Sequence, residues 1–400
     1  MREEYNKYDI DLNIDITNKF ISLTTKLNYH CNLENPNELK LYLHKDLNIE
    51  YIACNKPITY EVDKLISNWC PFVAESKAIK ISFTENISEN ESVDFVFKYS
   101  GYLDITNPSG VNRLTSNWIE LGLYTPWFPL TPNFELSLFN ICINIESGYN
   151  VINSKTQGDN LILYQKNPNF DCAILASKSF KCIKSIVGEI PIEIYYTDNK
   201  YKNMASQINE ISTKSIKKYI QFGTVSTEKY SIVIAPRECG GGYCRSGLIV
   251  VTPKDEFEDN IDYFKFIAHE LAHIWWNKAN TTSWEDWLNE SFAEYSSLIA
   301  IRDNFKQEDF NKIINSYEEK SKNLPSIKNL SRDDENAYNV LYIKGALILH
   351  KLENRIGKES FIELLKKVHS HKINTTKKFL DELENINNKE LRDFVDMLLS

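Results

Sequence analysis

His269-Glu270-Leu271-Ala272-His273-Ile274-Trp275-Trp276, followed by Trp287-Leu288-Asn289-Glu290-Ser291-Phe292-Ala293-Glu294-Tyr295, is the stretch whose reading decides the fold. The chain has 7 His in 400 residues, so two that bracket a Glu four positions apart carry weight. Residues four apart on an α-helix point the same way. Phe264, Ile267, Ala268, Leu271, Ile274 and Trp275 add an apolar stripe at helical spacing, and Asp259, Asn260 and Asp262 offer N-caps. The spacing predicts a helix that turns His269 and His273 toward one metal ion, with Glu270 one step round.

Zinc suits this set, because catalytic zinc takes three protein ligands and leaves a fourth position for water. One ion is expected. Zinc lowers the pKa of that water from about 15.7 to about 7. Glu270 would take its proton as it attacks a peptide carbonyl and pass it to the leaving amine. His-Glu-x-x-His on a helix is a zinc-protease pattern. A third His six residues beyond His273 is absent, since Ala279 stands there. The third ligand is then an acid from Glu285, Asp286, Glu290 or Glu294. Glu290 and Glu294 share one face of a helix predicted over Trp287–Ile301. Glu290 would bind the metal, and Glu294, one turn on, would accept the outer ring N–H of a ligand His.

The same segments resemble the membrane-alanyl-aminopeptidase and leukotriene-hydrolase family of gluzincin zinc metallopeptidases. WLNESFAEY (287–295) is similar to the family's zinc-ligand helix, and HELAHIWW (269–276) to its metal helix. The connection over residues 274–289 is shorter than usual, which predicts a trimmed loop around Lys278–Ser283 between two intact helices. Tyr342-Ile343-Lys344-Gly345-Ala346 resembles the family's Tyr-x-Lys-Gly segment. That likeness implies that Tyr342 donates to the oxyanion of the tetrahedral intermediate, an interaction worth roughly 3–4 kcal/mol of barrier.

Upstream, Gly241-Gly242-Tyr243-Cys244-Arg245-Ser246-Gly247-Leu248 lines up with the family's Gly-x-Met-Glu-Asn, whose Glu holds the substrate α-amine. Cys244 takes the place of that Glu. A thiol cannot balance an ammonium as a carboxylate does, and Arg245 adds a positive charge. Gly241, Gly242 and Tyr243 still let backbone come close to a peptide, and the strand that follows could take it by edge addition. Glu238 and Glu120 are acids that could replace the missing anchor. Glu120 lies in Trp118-Ile119-Glu120-Leu121-Gly122, ahead of Pro126-Trp127-Phe128-Pro129, a stretch similar to the family's first-domain segment with a second amine-binding group. The resemblance implies an aminopeptidase-type hydrolase with atypical N-terminus recognition. An endopeptidase or dedicated processing protease is the alternative, ahead of a non-peptide zinc hydrolase or a non-catalytic binding module.

The motif and the resemblance imply a peptide substrate as partner, and composition argues against two other kinds. A net charge of −9 without a basic run argues against nucleic acid. No apolar run reaches about 18 residues, so no membrane-spanning helix is expected. MREEYNKYDIDLNID has no apolar signal segment, which predicts a cytoplasmic protein. The 8 Cys (31, 54, 70, 142, 172, 182, 239 and 244) then read as free thiols, with no zinc-ribbon spacing.

The predicted architecture is α+β and multidomain. Residues 1–188 form an antiparallel β-sandwich-like domain, with strands such as Phe20–His30, Glu38–Leu43, Ala78–Phe83, Ser92–Tyr99, Phe134–Ile145, Asn160–Tyr164 and Cys172–Ser177. Residues 189–400 form a thermolysin-like catalytic domain. It opens with a strand at Pro191–Tyr196 and a helix marked by Met204, Ile208, Ile211, Ile216 and Tyr219 and closed by Gly223. Strands at Tyr230–Ala235 and Leu248–Thr252 precede the metal helix, and residues from Trp287 onward are helical. The long helical C-terminal domain of many family members is expected to be absent. Trp275, Trp276, Trp284 and Trp287 are placed for core packing between the metal helices, with a specificity pocket as the other use.

Overall fold

Asn6–Asp15 reads NKYDIDLNID, and every second side chain is buried. Alternation of this kind is what a strand with one face on a core requires. It begins a computed structural model that describes residues 5–31, 37–67, 69–70, 72–88, 91–103, 105, 110–225, 229–238, 241–245, 247–253 and 261–400, the side chains of 386–388 excepted. Asp259 and Asn260, expected as caps, lie outside the described residues, as do Cys239 and Ser246.

The chain divides into two compact units. The first holds Met1–Lys181 with Tyr196–Asn199 and Ala235–Gly241. Its largest sheet has seven strands in the order Lys155–Gln157, Asn160–Tyr164, Ser137–Ile145, Asn6–Asp15, Phe20–His30, Ser92–Tyr102 and Asn48–Cys54. A three-stranded sheet (Glu38–His44, Ser76–Phe83, Ile58–Ser67) and a four-stranded one (Asn150–Val151, Ile174–Ser177, Ile119–Leu121, Arg113–Leu114) complete the unit. Leu12, Leu23, Phe97 and Ile141 of the large sheet share one core with Leu41, Ile79, Ile119 and Ile174 of the smaller ones. This is the sheet-on-sheet layering expected.

The sheet is not wholly antiparallel, however. Asn6–Asp15 runs parallel to Ser137–Ile145, with Asn6 opposite Ser137 and Ile14 opposite Ile145. The strand expected from Phe134 starts instead at Ser137. Phe134 has φ 49°, and its N–H bonds back to Thr131 O at 3.2 Å, so it belongs to a turn.

The second unit holds Cys182–Tyr195, Lys200–Ile234 and Gly242–Ser400. Its five-stranded sheet runs Lys181–Val187, Ile190–Tyr196, Tyr230–Ile234, Leu248–Val251 and Tyr243–Arg245. Tyr230–Ile234 and Leu248–Val251 are buried throughout and pair in parallel. Tyr243–Arg245 is an antiparallel edge. Among the described residues seven helices follow or interleave: α1 (Lys202–Tyr219), α2 (Ile261–Ala272), α3 (Trp287–Asn304), α4 (Gln307–Lys320), α5 (Gly345–Ile356), α6 (Lys358–Ser370) and α7 (Thr376–Leu399). Nearly every side chain of α3 is buried, including Ser291, Ser296 and Ser297, so it is a core helix surrounded by others. No helix among the described residues is long and apolar enough to cross a membrane.

Residues Asn339–Lys344 form a π-helical turn that runs into α5. Ser291 Oγ, on α3, donates to the Leu341 carbonyl freed there. A Cβ on Gly345 would lie 1.8 Å from that Oγ and 2.8 Å from Ser291 Cβ. Only glycine lets α5 sit this close to α3. Gly345→Ala is therefore expected to destabilise the fold by about 1–3 kcal/mol, the usual cost of overpacking. Chemical denaturation checks this, with the midpoint falling and the slope unchanged.

Candidate metal centre

Helix α2 delivers His269 in its last turn, and His273 follows just past its end. The two rings meet edge to face, with centroids 4.8 Å apart. Helix α3 brings Glu290 to them in its first turn. Glu290 Oε2 lies 3.3 Å from His269 Nε2 and 3.3 Å from His273 Nε2, and the two Nε2 atoms are 3.1 Å apart.

The outer ring nitrogens fix the protons. His273 Nδ1 sits 3.1 Å from the Trp276 carbonyl oxygen, which can only accept, so Nδ1 carries the hydrogen. His269 Nδ1 sits 2.8 Å from Glu294 Oε2. Lys265 Nζ, 2.9 Å from Glu294 Oε1, and the Tyr317 hydroxyl, which donates to the same oxygen, keep Glu294 ionised. Burial would raise the Glu294 pKa, but His269, Lys265 and Tyr317 outweigh it and bring it down to about 2. His269 Nδ1 is then a donor as well. In their neutral forms both rings then present Nε2 lone pairs, facing each other and a carboxylate oxygen.

Three lone pairs at 3.1–3.3 Å repel unless a cation lies between them. Atoms about 2.0–2.1 Å from a tetrahedral zinc ion stand about 3.3 Å apart, so the spacing fits. Glu290 Oε2 is buried without a hydrogen-bond donor in good geometry, as a metal ligand would be. Among the described residues His269, His273 and Glu290 form the one cluster able to hold a metal. The electrostatics agree. Burial opposes charge on His269, yet the Glu290 and Glu294 carboxylates push its pKa up to about 10, so that without a metal a proton on the ring takes the cation's place. Burial opposes charge on Glu290 too, and His273 and His269 hold its pKa far below the usual carboxylate range. The centre is built to surround positive charge.

The other two acids left open as ligands are used elsewhere. Glu285 Oε2 accepts from Thr376 N and Oγ1, both at 2.6 Å. Asp286 pairs with Arg332 at 3.2 Å and accepts from Asn289 Nδ2 at 2.8 Å. Asn289 also holds Ala279 through both its N–H (3.1 Å) and its carbonyl (3.0 Å). That pair of hydrogen bonds pins the short connection against the helix that carries Glu290.

Glu270 is buried beside the cluster. Burial raises its pKa, while His269 and His273 pull the other way. Gly242 covers it: a Cβ there would lie 2.8 Å from Glu270 Cδ and Oε1 and 2.9 Å from Phe266 Cζ. Gly242→Ala is expected to displace the carboxyl and lower kcat about 10²-fold, the scale of a misplacement near 1 Å, without loss of bound metal. Steady-state kinetics with metal analysis would show it.

Next along the edge strand, Cys244 is largely buried, and its pKa is pushed up to about 12 by burial and the nearby Glu270 charge. The thiol is neutral. Arg245 Nη1 donates to the Cys244 carbonyl at 2.8 Å, and its guanidinium lies 4.9 Å from the Tyr243 ring centroid. Tyr342 stacks flat on His269, centroids 5.6 Å apart at 10°, and on Tyr338 at 4.6 Å. Burial raises its pKa well above the ordinary range, so its phenol keeps its proton.

Gly241 and Glu120 belong to the first unit. Gly241 O accepts from Arg237 Nη2 at 2.9 Å. Glu120 is no surface acid. It is fully buried, and its Oε2 accepts from Trp118 Nε1 at 3.0 Å and Arg237 Nε at 3.3 Å. The acid expected as an open amine receptor is the anion of an internal ion pair. Glu238 is exposed. Trp275, Trp276 and Trp287 are core residues, their indole N–H groups bonded to Gly223 O, Ser296 Oγ and Thr376 Oγ1.

Lys265, Tyr317 and Arg332 escaped the sequence reading. Lys265 had a signal, lying four residues before His269 on the same helix face. Tyr317 and Arg332 reach the centre from elements whose placement no local pattern announces.

The sequence profile of the peptidase family M1 domain matches residues 227–398. A probable aminopeptidase 2 of Sulfurisphaera tokodaii is 23% identical over 291 residues, which cover 64% of this chain and 37% of that protein. This chain spans well under half the length of the curated relatives it matches. Its fold is similar to that of an M1 zinc metallopeptidase from Deinococcus radiodurans, with a TM-score of 0.75 at 15% identity, covering 99% of this chain and 94% of that one. Yeast LTA4 hydrolase in complex with bestatin gives a TM-score of 0.72 at 17% identity, covering 98% of this chain and 65% of that one.

Proposed function

Since this chain belongs to the peptidase M1 family of zinc metallopeptidases, we propose that it hydrolyses peptide bonds as an aminopeptidase-type enzyme with one zinc ion and atypical recognition of the substrate N-terminus. The observation that carries the reading is the convergence of three lone pairs from His269, His273 and Glu290, with the buried Glu270 beside them. A zinc ion bound there supplies Lewis acidity, polarising the scissile carbonyl and making a coordinated water acidic.

Glu270 is the general base in this reading. Its burial raises the pKa, which lets it take a proton from the attacking water and return it to the leaving amine. Tyr342, protonated and stacked on His269, donates to the carbonyl oxygen as negative charge develops there. Glu294 accepts from His269 Nδ1 and orients the ring so that Nε2 is the atom aimed at the metal position. The edge strand Tyr243–Arg245 and Gly242 before it receive the peptide backbone. Residues 1–188 act as the β domain and 189–400 as the catalytic domain. The described cysteines are free thiols, which fits the reducing conditions of a cytoplasmic location.

Recognition of the α-amine separates two versions of this activity. Cys244 is neutral where a carboxylate would pair with an ammonium, and Arg245 stands next to it. That observation favours, as a second reading, cleavage of peptides whose N-terminus is not anchored. Aminoacyl anilides compared with N-acetylated peptides decide between them. Faster turnover of the free-amine substrates supports the aminopeptidase reading, and cleavage of blocked peptides alone sinks it.

A further inference from the structure

The first unit carries a cavity of about 540 Å³, a size within the range of small-molecule sites. Its wall includes Leu39, Ile81 and Tyr60. Leu39 stands opposite Ile81, and Ile81 opposite Tyr60, so the three form one row on one face of the three-stranded sheet. Leu39 and Ile81 are buried, while the Tyr60 ring is exposed. The row is an apolar wall that ends in an aromatic ring open to solvent.

Two polar side chains line the same cavity. Tyr29, on Phe20–His30 of the large sheet, is 1% exposed, yet its hydroxyl has no hydrogen-bond partner among the described residues. Glu135, just before Ser137–Ile145, is half-buried. Its Oε2 accepts from Asn6 Nδ2 at 2.8 Å, and among the described residues its Oε1 takes no hydrogen bond and no Lys or Arg pairs with it. Burial holds its carboxyl above the usual range, and the Asn6 amide and the His30 imidazole relieve this only in part. A carboxylate withdrawn from water and served by one neutral donor is short of positive charge. The neighbouring lysines do not supply it. Lys40 and Lys80 border the cavity, but they face each other one position on from Leu39 and Ile81, on the other side of the sheet. Lys80 Nζ is held by Asp63 at 3.0 Å, and Lys40 Nζ lies 5.0 Å from the Tyr42 ring centroid.

An ammonium has three donors and no acceptor, and a carboxylate and a phenol oxygen both accept. Aromatic faces attract the same charge, and an apolar wall suits the methylene chain behind it. Asn6 already holds Glu135 Oε2, which favours a one-point ammonium over the two-point grip of a guanidinium. We infer that this cavity binds a primary alkylammonium group, with its charge on Glu135 Oε1 and the Tyr29 hydroxyl and its carbon chain along Leu39 and Ile81. The inference stands apart from the peptidase reading, since none of these residues belongs to the metal centre.

The test uses the zinc-loaded full chain with 3-fluorotyrosine at position 29, followed by fluorine NMR. Two probes are titrated: cadaverine, a free amine, and Nα-acetyl-lysine methylamide, which presents a lysine side chain as a peptide does. At least one should move the resonance saturably, and the tighter of the two identifies the source of the ammonium. Pentanoate, of similar length and opposite charge, should leave it in place. Glu135→Gln should weaken amine binding at least about tenfold, the worth of a hydrogen bond to a charged group, with zinc content unchanged. Because an amine can also reach a metal, this loss is what assigns the binding to the cavity. A resonance unmoved by both amines, an undiminished affinity in Glu135→Gln, or a response to pentanoate equal to that of the amines overturns the inference. If Glu135→Gln does not fold, Tyr29→Phe, which removes only a hydroxyl, serves in its place. Calorimetry should then show the amine bound about 3–10-fold more weakly, and an unchanged affinity overturns the inference.

Discussion

Glu270→Gln should lower kcat by about 10²–10⁴-fold, the usual worth of a positioned general base, while zinc content stays at that of the unchanged protein. Gln has the same shape, so the approach of Gly242 to the side chain is preserved. What disappears is the ability to take and return a proton. Metal binding should survive, because Glu270 is not among the three residues whose ligand atoms converge. Stability should hold or rise. Burial disfavours the ionised form of Glu270, and a neutral amide removes that cost. The effect should fall on kcat and on kcat/KM alike, as for a group that acts only in the transition state. Steady-state kinetics, zinc analysis and a melting curve on the same sample check the three parts. Unchanged turnover in the zinc-loaded Glu270→Gln variant would show that the proton travels by another route.

The helices that bring the candidate ligands together were legible because their signals are local. His269 and His273 share a face by spacing alone, and Glu294 follows Glu290 by one turn, which placed it at the outer nitrogen of His269. A strand with clean alternation, Phe20–His30, ends where the pattern ends. Legibility failed where the structure depends on distant partners. The parallel pairing of Asn6–Asp15 with Ser137–Ile145 joins segments 131 residues apart, and alternation does not say which neighbour a strand takes. Glu120 reads as an ordinary acid until Arg237, 117 residues on, is placed against it. The π-helical turn at Asn339–Lys344 has no sequence signature of its own and shows itself only through the Ser291 hydroxyl that satisfies it. Arg332 is of the same kind, a charge in a loop whose meaning comes from Asp286 on another element.

Glu290→Gln should abolish zinc binding under conditions that saturate the unchanged protein, and hydrolysis with it. Two neutral imidazoles and an amide oxygen leave the site without the anion that faces both Nε2 atoms. The informative control is Glu294→Gln. At the cluster Glu294 meets only the outer nitrogen of His269, and loss of such a partner typically costs about 10–100-fold in metal affinity. Glu290→Gln should cost far more, so the two variants separate ligand from orienting group. Stability gives an independent reading. A ligand that binds only the folded state adds about 4.1 kcal/mol at a thousand times its Kd. The melting temperature of the metal-free unchanged protein should therefore rise steeply as zinc is added. It should rise less for Glu294→Gln at the same zinc concentration and not at all for Glu290→Gln. Zinc-dependent stabilisation of Glu290→Gln equal to that of the unchanged protein would move the third ligand to another acid. Asp286, the nearest alternative on the same chain segment, would then have to leave Arg332, and the Asp286→Asn variant would lose zinc in its place.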